Sequence, residues 1–219
     1  MSVQLEEDSF RDPFASVTSG APNGRPRSIR YEPRGHVPGE VGIWVFIFWD
    51  MWLFTMLFAV TLYTRGQHPA SFEHGRTTLA LWAGTINSAL LLTGSLFVVE
   101  GIRAVRRAIP DGIRARKLFG VAMLCGLGFV ANKGFEWARL MHDHHTPGST
   151  DFFTFFYVLT GFHLLHLLLG MAGLGYMRRA ASRPEIGTTG IRNLEVVGCY
   201  WHLVDLLWVV IFAILYTLR

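Results

Sequence analysis

Charged residues are scarce in this chain of 219 residues. Asp, Glu, Lys and Arg together make up 16% of the sequence, whereas 51% of the residues are hydrophobic. Soluble domains usually carry about 25% charged residues, so this composition excludes a soluble enzyme and a nucleic-acid-binding domain. Apart from its apolar segments, the chain has no stretch suited to burying a core, which also excludes a large catalytic domain outside a membrane.

Cysteine is rarer still. The chain has two cysteines, Cys125 and Cys199, and both lie within apolar segments. There is no CxxC motif, so a structural disulfide is not expected. We interpret both residues as small side chains packed between helices.

Most of the hydrophobic residues lie in five long apolar segments. They cover residues 42–63, 79–99, 118–140, 152–177 and 196–218. Each has about the 20 residues that an α-helix needs to cross about 30 Å of hydrocarbon. The sequence therefore predicts an all-α integral membrane bundle of five transmembrane helices over residues 41–219. Residues 1–40 are rich in Ser, Gly, Pro and charged side chains without apolar periodicity, which predicts a flexible arm.

Positive charge is distributed unevenly between the two ends of these segments. If the N-terminal arm and the second and fourth connections share one side of the membrane, that side holds 15 of the 20 Lys and Arg residues. The opposite side then holds four. Because cytoplasmic loops carry the excess of Lys and Arg, we predict a cytoplasmic N-terminus and a C-terminus outside.

Apart from Arg139 at the end of the third segment, seven acidic, lysine or histidine side chains lie within the apolar segments, where a charge costs on the order of 3 kcal/mol. They are Asp50, Lys133, Glu136, His163, His166, His202 and Asp205. Three pairs among them are spaced by three residues, so each pair shares one helix face. For Lys133 and Glu136 this spacing predicts an ion pair towards the outer surface.

Four of these side chains are expected at similar depth in the cytoplasmic half of the membrane, namely Asp50, His166, His202 and Asp205. If their helices are neighbours, they form one buried polar network. The alternative is that each is a paired group packed between helices. Asp50 is the only charge in its helix, so we expect a neutral carboxylic acid there unless a cation lies beside it.

The histidines do not match a haem site. A transmembrane dihaem cytochrome b uses four axial histidines in widely spaced pairs, whereas only three lie at membrane depth here. The loop of residues 142–145, with the sequence HDHH, could bind a divalent cation, although a solvated polar loop is the simpler interpretation. With no nucleophile–base constellation or phosphate loop, the chain is not expected to be an autonomous catalyst.

Three motifs resemble a known family. The last apolar segment carries E-x4-YWHxVDxxW from Glu195, the fourth carries TGFHxxHxxxG from Thr160, and the third ends in NKGFEW from Asn132. In this order and spacing they resemble subunit III of the haem–copper respiratory oxidases, cytochrome c oxidase subunit 3. The resemblance covers about residues 40–219.

This resemblance implies an accessory subunit of an oxidoreductase complex that itself holds neither haem nor copper. Such a subunit packs beside catalytic subunit I, with subunit II nearby, and those partners carry the haem and copper. It holds phospholipid, supports proton uptake and protects the catalytic centre during turnover. The family's polar positions fall here on Glu136, His163, His166, Glu195, His202 and Asp205.

The five predicted helices resemble the bacterial form of the family, which lacks the first two helices of the seven-helix form. This implies a bacterial plasma membrane, and it leaves open whether the lipid-holding cleft exists without those helices. Asp50 stands where the family has a buried Glu. An Asp there resembles a branch associated with nitric oxide reductase, so an accessory protein of that enzyme is the alternative. An independent proton-coupled transporter would explain the membrane carboxylates but not the order of the motifs.

Overall fold

The computed structural model describes residues 41–107, 111–181 and 188–218, and the arm predicted for residues 1–40 lies outside them. Its elements are α1 (Val41–Gln67), α2 (Pro69–Thr78), α3 (Leu81–Arg106), α4 (Gly112–His142), α5 (Asp151–Ala180) and α6 (Thr188–Phe212), followed directly by a π-helical turn (Ala213–Thr217). No strand occurs in these ranges. The predicted all-α class is confirmed.

Five helical spans in the described part are long and apolar enough to cross a membrane. They are Trp44–Gln67, Leu81–Arg106, Gly112–His142, Asp151–Ala180 and Gly190–Thr217. Each corresponds to one of the five apolar segments, so the predicted number of spans is confirmed. The helices are longer than the apolar segments, since the polar and basic residues that flank these segments are also helical.

The short helix α2 was not predicted, because its sequence is polar and lies in the connection between the first two spans. It begins at Pro69, whose missing N–H needs no partner in the first turn of a helix. Its buried residue Phe72 packs edge-on against Phe152, with the ring centroids 5.6 Å apart. A single aromatic anchor therefore holds α2 against the start of α5.

The helices α3, α4, α5 and α6 form the closed part of the bundle. Helix α4 packs between α3 and α5, and α6 contacts both α3 and α5. Helix α1 lies against α5 and α6 and is the least buried of the five spans. The interior is largely aromatic: Phe129 meets Trp208 edge-on at 4.7 Å, and both are fully buried together with Trp201.

Helix ends in the connections are set by local capping. Asp111 Oδ1 accepts a hydrogen bond from the backbone N–H of Arg114 at 2.9 Å, and Thr150 Oγ1 accepts one from the N–H of Phe153 at 3.3 Å. Both caps satisfy donors that lack a partner in the first turn of a helix. They fix where α4 and α5 begin, and hence the register of the polar residues that these helices carry.

Candidate functional site

Asp50 and His166 form a buried pair that joins α1 to α5. Asp50 Oδ1 lies 2.8 Å from His166 Nε2, and the two residues are only 4% and 8% exposed. The sequence predicted a lone carboxyl in the first helix unless a cation lay nearby, and the structure supplies the imidazole as its partner. The rings of His166 and Phe54 also pack edge to face, so Phe54 covers one side of the pair.

The second nitrogen of His166 fixes how this pair can be protonated. His166 Nδ1 lies 2.6 Å from the backbone carbonyl oxygen of Phe162, which can only accept a hydrogen bond. Nδ1 therefore carries a proton, and one further proton is shared between His166 Nε2 and Asp50 Oδ1. The pair is thus either an imidazolium with a carboxylate or a neutral imidazole with a carboxylic acid, and its total charge is the same in both states.

The other residues at this depth belong to a separate group between α3 and α6. His202 Nδ1 is hydrogen-bonded to the hydroxyl of Ser95. Asp205 is buried close to the same hydroxyl, although neither carboxyl oxygen makes a well-formed hydrogen bond to a described residue. No hydrogen bond between described residues joins this group to Asp50. The structure therefore divides the single network considered from the sequence into two.

Lys133 and Glu136 form the ion pair that their spacing on α4 predicts. Lys133 Nζ lies 2.6 Å from Glu136 Oε2, and Lys133 is completely buried. Tyr216 in the π-helical turn completes the cluster, because its hydroxyl donates to Glu136 Oε1 at 2.7 Å and accepts from Lys133 Nζ at 3.0 Å. The cluster therefore ties the C-terminal end of the last span to α4.

Aromatic rings surround the ammonium of Lys133. Its Nζ lies 4.7 Å from the ring centroid of Trp208 and 5.3 Å from that of Phe156, distances at which a cation is attracted to a ring face. His163 also packs against Trp208, with 5.3 Å between the ring centroids. It is fully buried, and neither of its ring nitrogens has a hydrogen-bond partner among the described residues.

Glu195 lies at the other end of α6, away from these clusters. Its Oε1 is 3.1 Å from Arg106 Nη1 at the end of α3, in a partly exposed ion pair. The Ser95–His202 hydrogen bond and a hydrogen bond of 3.1 Å from Trp208 Nε1 to Ser88 Oγ also join α3 to α6. These two helices therefore have polar contacts at three depths.

Several polar contacts involve residues that the sequence analysis did not single out. Ser95 and Tyr216 complete two of the clusters, and Asn132 Nδ2 donates to Asn87 Oδ1 at 2.8 Å between α4 and α3. Uncharged polar residues within apolar segments were the available signal, since such side chains commonly hydrogen-bond between membrane helices. Which helices they join depends on the packing of the bundle, which the sequence leaves open.

Within residues 41–107, 111–181 and 188–218, no three His, Cys, Asp or Glu side chains are grouped as ligands for a metal ion. In the HDHH loop, His142 Nδ1 lies 3.4 Å from Asp143 Oδ1, while His145 stacks on Phe153 with 4.5 Å between the ring centroids. The loop is thus partly ordered by an aromatic contact.

Comparison with curated proteins identifies relatives that share one name. A probable cytochrome c oxidase subunit 3 of Nocardia farcinica is 30% identical over 184 residues, covering 82% of this chain and 88% of the relative. The cytochrome c oxidase subunit 3 of Thermostichus vulcanus is 30% identical, covering 81% and 86%. That of Synechocystis sp. is 31% identical, covering 81% and 74%. No family model matches the chain.

Proposed function

This chain belongs to the cytochrome c oxidase subunit 3 family, and we propose that it is an accessory subunit of a haem–copper oxidase that stabilises catalytic subunit I and supports its proton uptake. The observation that carries the proposal is the match to relatives of that name along most of both chains. The five membrane spans agree with such a subunit. The comparisons give the nitric oxide reductase alternative no support.

The proposed location is a bacterial plasma membrane, with the N-terminus in the cytoplasm and the C-terminus outside. The concentration of Lys and Arg on one side of the spans supports this orientation. In this orientation the Lys133–Glu136–Tyr216 cluster lies towards the outer surface and the Arg106–Glu195 pair towards the cytoplasm.

We further propose that the chain holds no haem or copper and that these groups belong to the catalytic subunits. The surroundings of the three membrane histidines support this. Both nitrogens of His166 face oxygen atoms, and Nδ1 of His202 is bonded to Ser95. His163 packs against the rings of Phe129 and Trp208.

The Asp50–His166 pair is the proposed point at which this chain acts on proton uptake. Its two protonation arrangements carry the same total charge, so a proton can cross between the partners without placing an extra charge in the membrane. Asp50 Oδ2 has no hydrogen-bond partner among the described residues, which leaves one oxygen available to a proton donor. Asp50 also lies on the least buried span, α1, whose outer face is exposed to a neighbouring subunit.

An acyl chain of a phospholipid is the proposed occupant of a groove beside this pair. The groove has a volume of about 280 Å³ and is lined by Phe46, Ile47, Leu169, Gly173, Val196, Val197 and Tyr200. One helical turn beyond it, Asn193 Nδ2 lies 3.5 Å from the hydroxyl of Tyr176, which offers polar groups for a headgroup. Extraction and mass analysis of lipids retained by the purified chain tests this assignment.

Affinity purification of the tagged chain from native membranes in mild detergent tests the proposed function. We expect it to co-purify with a haem-bearing polypeptide of the size of a catalytic subunit. Recovery of the chain alone from membranes with active oxidase, together with substrate-driven proton flux after reconstitution, would indicate an independent transporter instead.

The role in proton uptake is tested with Asp50→Asn in the assembled oxidase. The amide preserves the size and a hydrogen bond to His166, so we expect assembly to be normal while proton uptake, turnover or the lifetime of activity changes. Asp143→Asn is the matched control, because Asp143 lies on an exposed loop. An assembled Asp50→Asn oxidase with wild-type values for all three properties would exclude this role.

A further inference from the structure

Asp205 is a buried carboxyl whose charge is not balanced within the described part of the chain. It is 5% exposed, and both of its carboxyl oxygens lack a well-formed hydrogen bond. The Ser95 hydroxyl on α3 lies close to this carboxyl, and it is hydrogen-bonded to His202 Nδ1. Ser95 therefore lies between two residues that share one face of α6.

The buried titratable groups in the clusters around α6 have neighbours other than Asp205. Asp50 is bound to His166, and Lys133 is bound to Glu136 and Tyr216. His163 packs against the aromatic rings of Phe129 and Trp208. Glu195, which is paired with Arg106, lies ten residues before Asp205 on α6, about 15 Å away along the helix. An ionised Asp205 would thus have no cation beside it among these groups.

Burial then determines the form of the carboxyl. An ionised carboxylate without donors or a cation is strongly disfavoured in an apolar interior, and such a group takes up a proton instead. As a carboxylic acid, Asp205 can donate its O–H to Ser95 Oγ, while the O–H of Ser95 donates to His202 Nδ1. Each link then has one donor and one acceptor, and the second nitrogen of His202 keeps its own proton.

We propose that Asp205, Ser95 and His202 form a proton-binding site that stores one proton on Asp205 and connects it through Ser95 to His202. His202 is partly exposed on the surface of the bundle, so its Nε2 is the end of the site open to the surroundings. When the proton of Asp205 moves to Ser95 Oγ, the hydroxyl proton of Ser95 moves to His202 Nδ1. A carboxylate and an imidazolium result, and the total charge of the three residues is unchanged.

Infrared spectroscopy of the full chain in lipid nanodiscs at neutral pH tests this site. The Asp205→Asn spectrum is expected to lose one C=O stretching band of a protonated carboxylic acid, and in the wild type this band shifts in D₂O. Asp143→Asn, which changes a carboxylate on an exposed loop, is expected to lose no such band. If Asp205→Asn loses none either, Asp205 is ionised and the proposal is wrong.

Ser95→Ala provides a second test that leaves the carboxyl in place and applies even if Asp205→Asn does not fold. Without the serine oxygen as acceptor, the carboxylic acid band is expected to move to higher wavenumber. A band that keeps its position in Ser95→Ala would overturn the connection to His202. The measurement needs no oxidase partner, so its failure is distinguishable from failure of the proposed function.

Discussion

Asp50 on α1 and His166 on α5 are joined by a contact of 2.8 Å between Asp50 Oδ1 and His166 Nε2. Because α1 is the least buried span, this pair is a major polar link between α1 and the rest of the bundle. It also explains how a carboxyl is tolerated in the first apolar segment, since the imidazole supplies the proton that the carboxylate would otherwise lack.

The energetic coupling of this pair is measurable with Asp50→Ala, His166→Ala and the double variant. Each single change is expected to destabilise the chain by about 1.5–3 kcal/mol, because it leaves the other member buried without its charge-assisted hydrogen bond. The double variant is expected to be little worse than the more damaging single variant. Thermal unfolding in detergent provides the comparison, and strictly additive effects would show that the two residues do not interact.

Removing only Glu136 from the ion pair on α4 is expected to be more damaging than removing both of its members. Glu136→Ala leaves the completely buried Lys133 without its counter-ion, at a cost of about 3–5 kcal/mol. The double change Lys133→Ala with Glu136→Ala removes both charges, so we expect a higher yield of folded protein than from Glu136→Ala alone. An equal or lower yield from the double variant would refute the pairing.

Tyr216→Phe isolates the hydroxyl that bridges Lys133 and Glu136. Its removal takes away a hydrogen bond to each member while the ion pair remains, so we expect a loss of about 1–3 kcal/mol in unfolding free energy. The matched control is Tyr63→Phe, because Tyr63 is 71% exposed. Equal midpoints of thermal unfolding for the two variants would mean that the hydroxyl of Tyr216 contributes nothing.

Two glycines of α4 are predicted to respond in opposite directions to alanine. At Gly112 a Cβ would lie 2.4 Å from the carbonyl oxygen of Ala181, so backbone must shift, and we expect a loss of about 1–3 kcal/mol. At Gly134 a Cβ would meet nothing within 4 Å, and alanine favours the helix by about 0.5–1 kcal/mol. Thermal unfolding of both variants shows whether stability falls for Gly112→Ala and rises for Gly134→Ala. Destabilisation by Gly134→Ala would contradict the open space beside that residue.

The fold was largely predictable because membrane spans are defined by length and apolarity along the chain. The same local reasoning identified Lys133 and Glu136, since residues three apart on a helix must meet. It could not show that His166 faces Asp50 while His202 faces Ser95, because those contacts depend on which helices are neighbours. Helix α2 was missed for a related reason: its two buried residues, Phe72 and Gly75, give no apolar periodic pattern.

The central claim is that haem and copper belong to the catalytic subunits and not to this chain. Measuring both groups in each separated polypeptide tests it most directly. The complex purified through a tag on the chain would be dissociated, and haem and copper would be measured in each resolved polypeptide. We predict haem absorbance and copper in the co-purified catalytic subunits, and neither in stoichiometric amount in this chain. A Soret band retained by the pure chain, or a complex without any haem-bearing partner, would contradict the assignment as an accessory oxidase subunit.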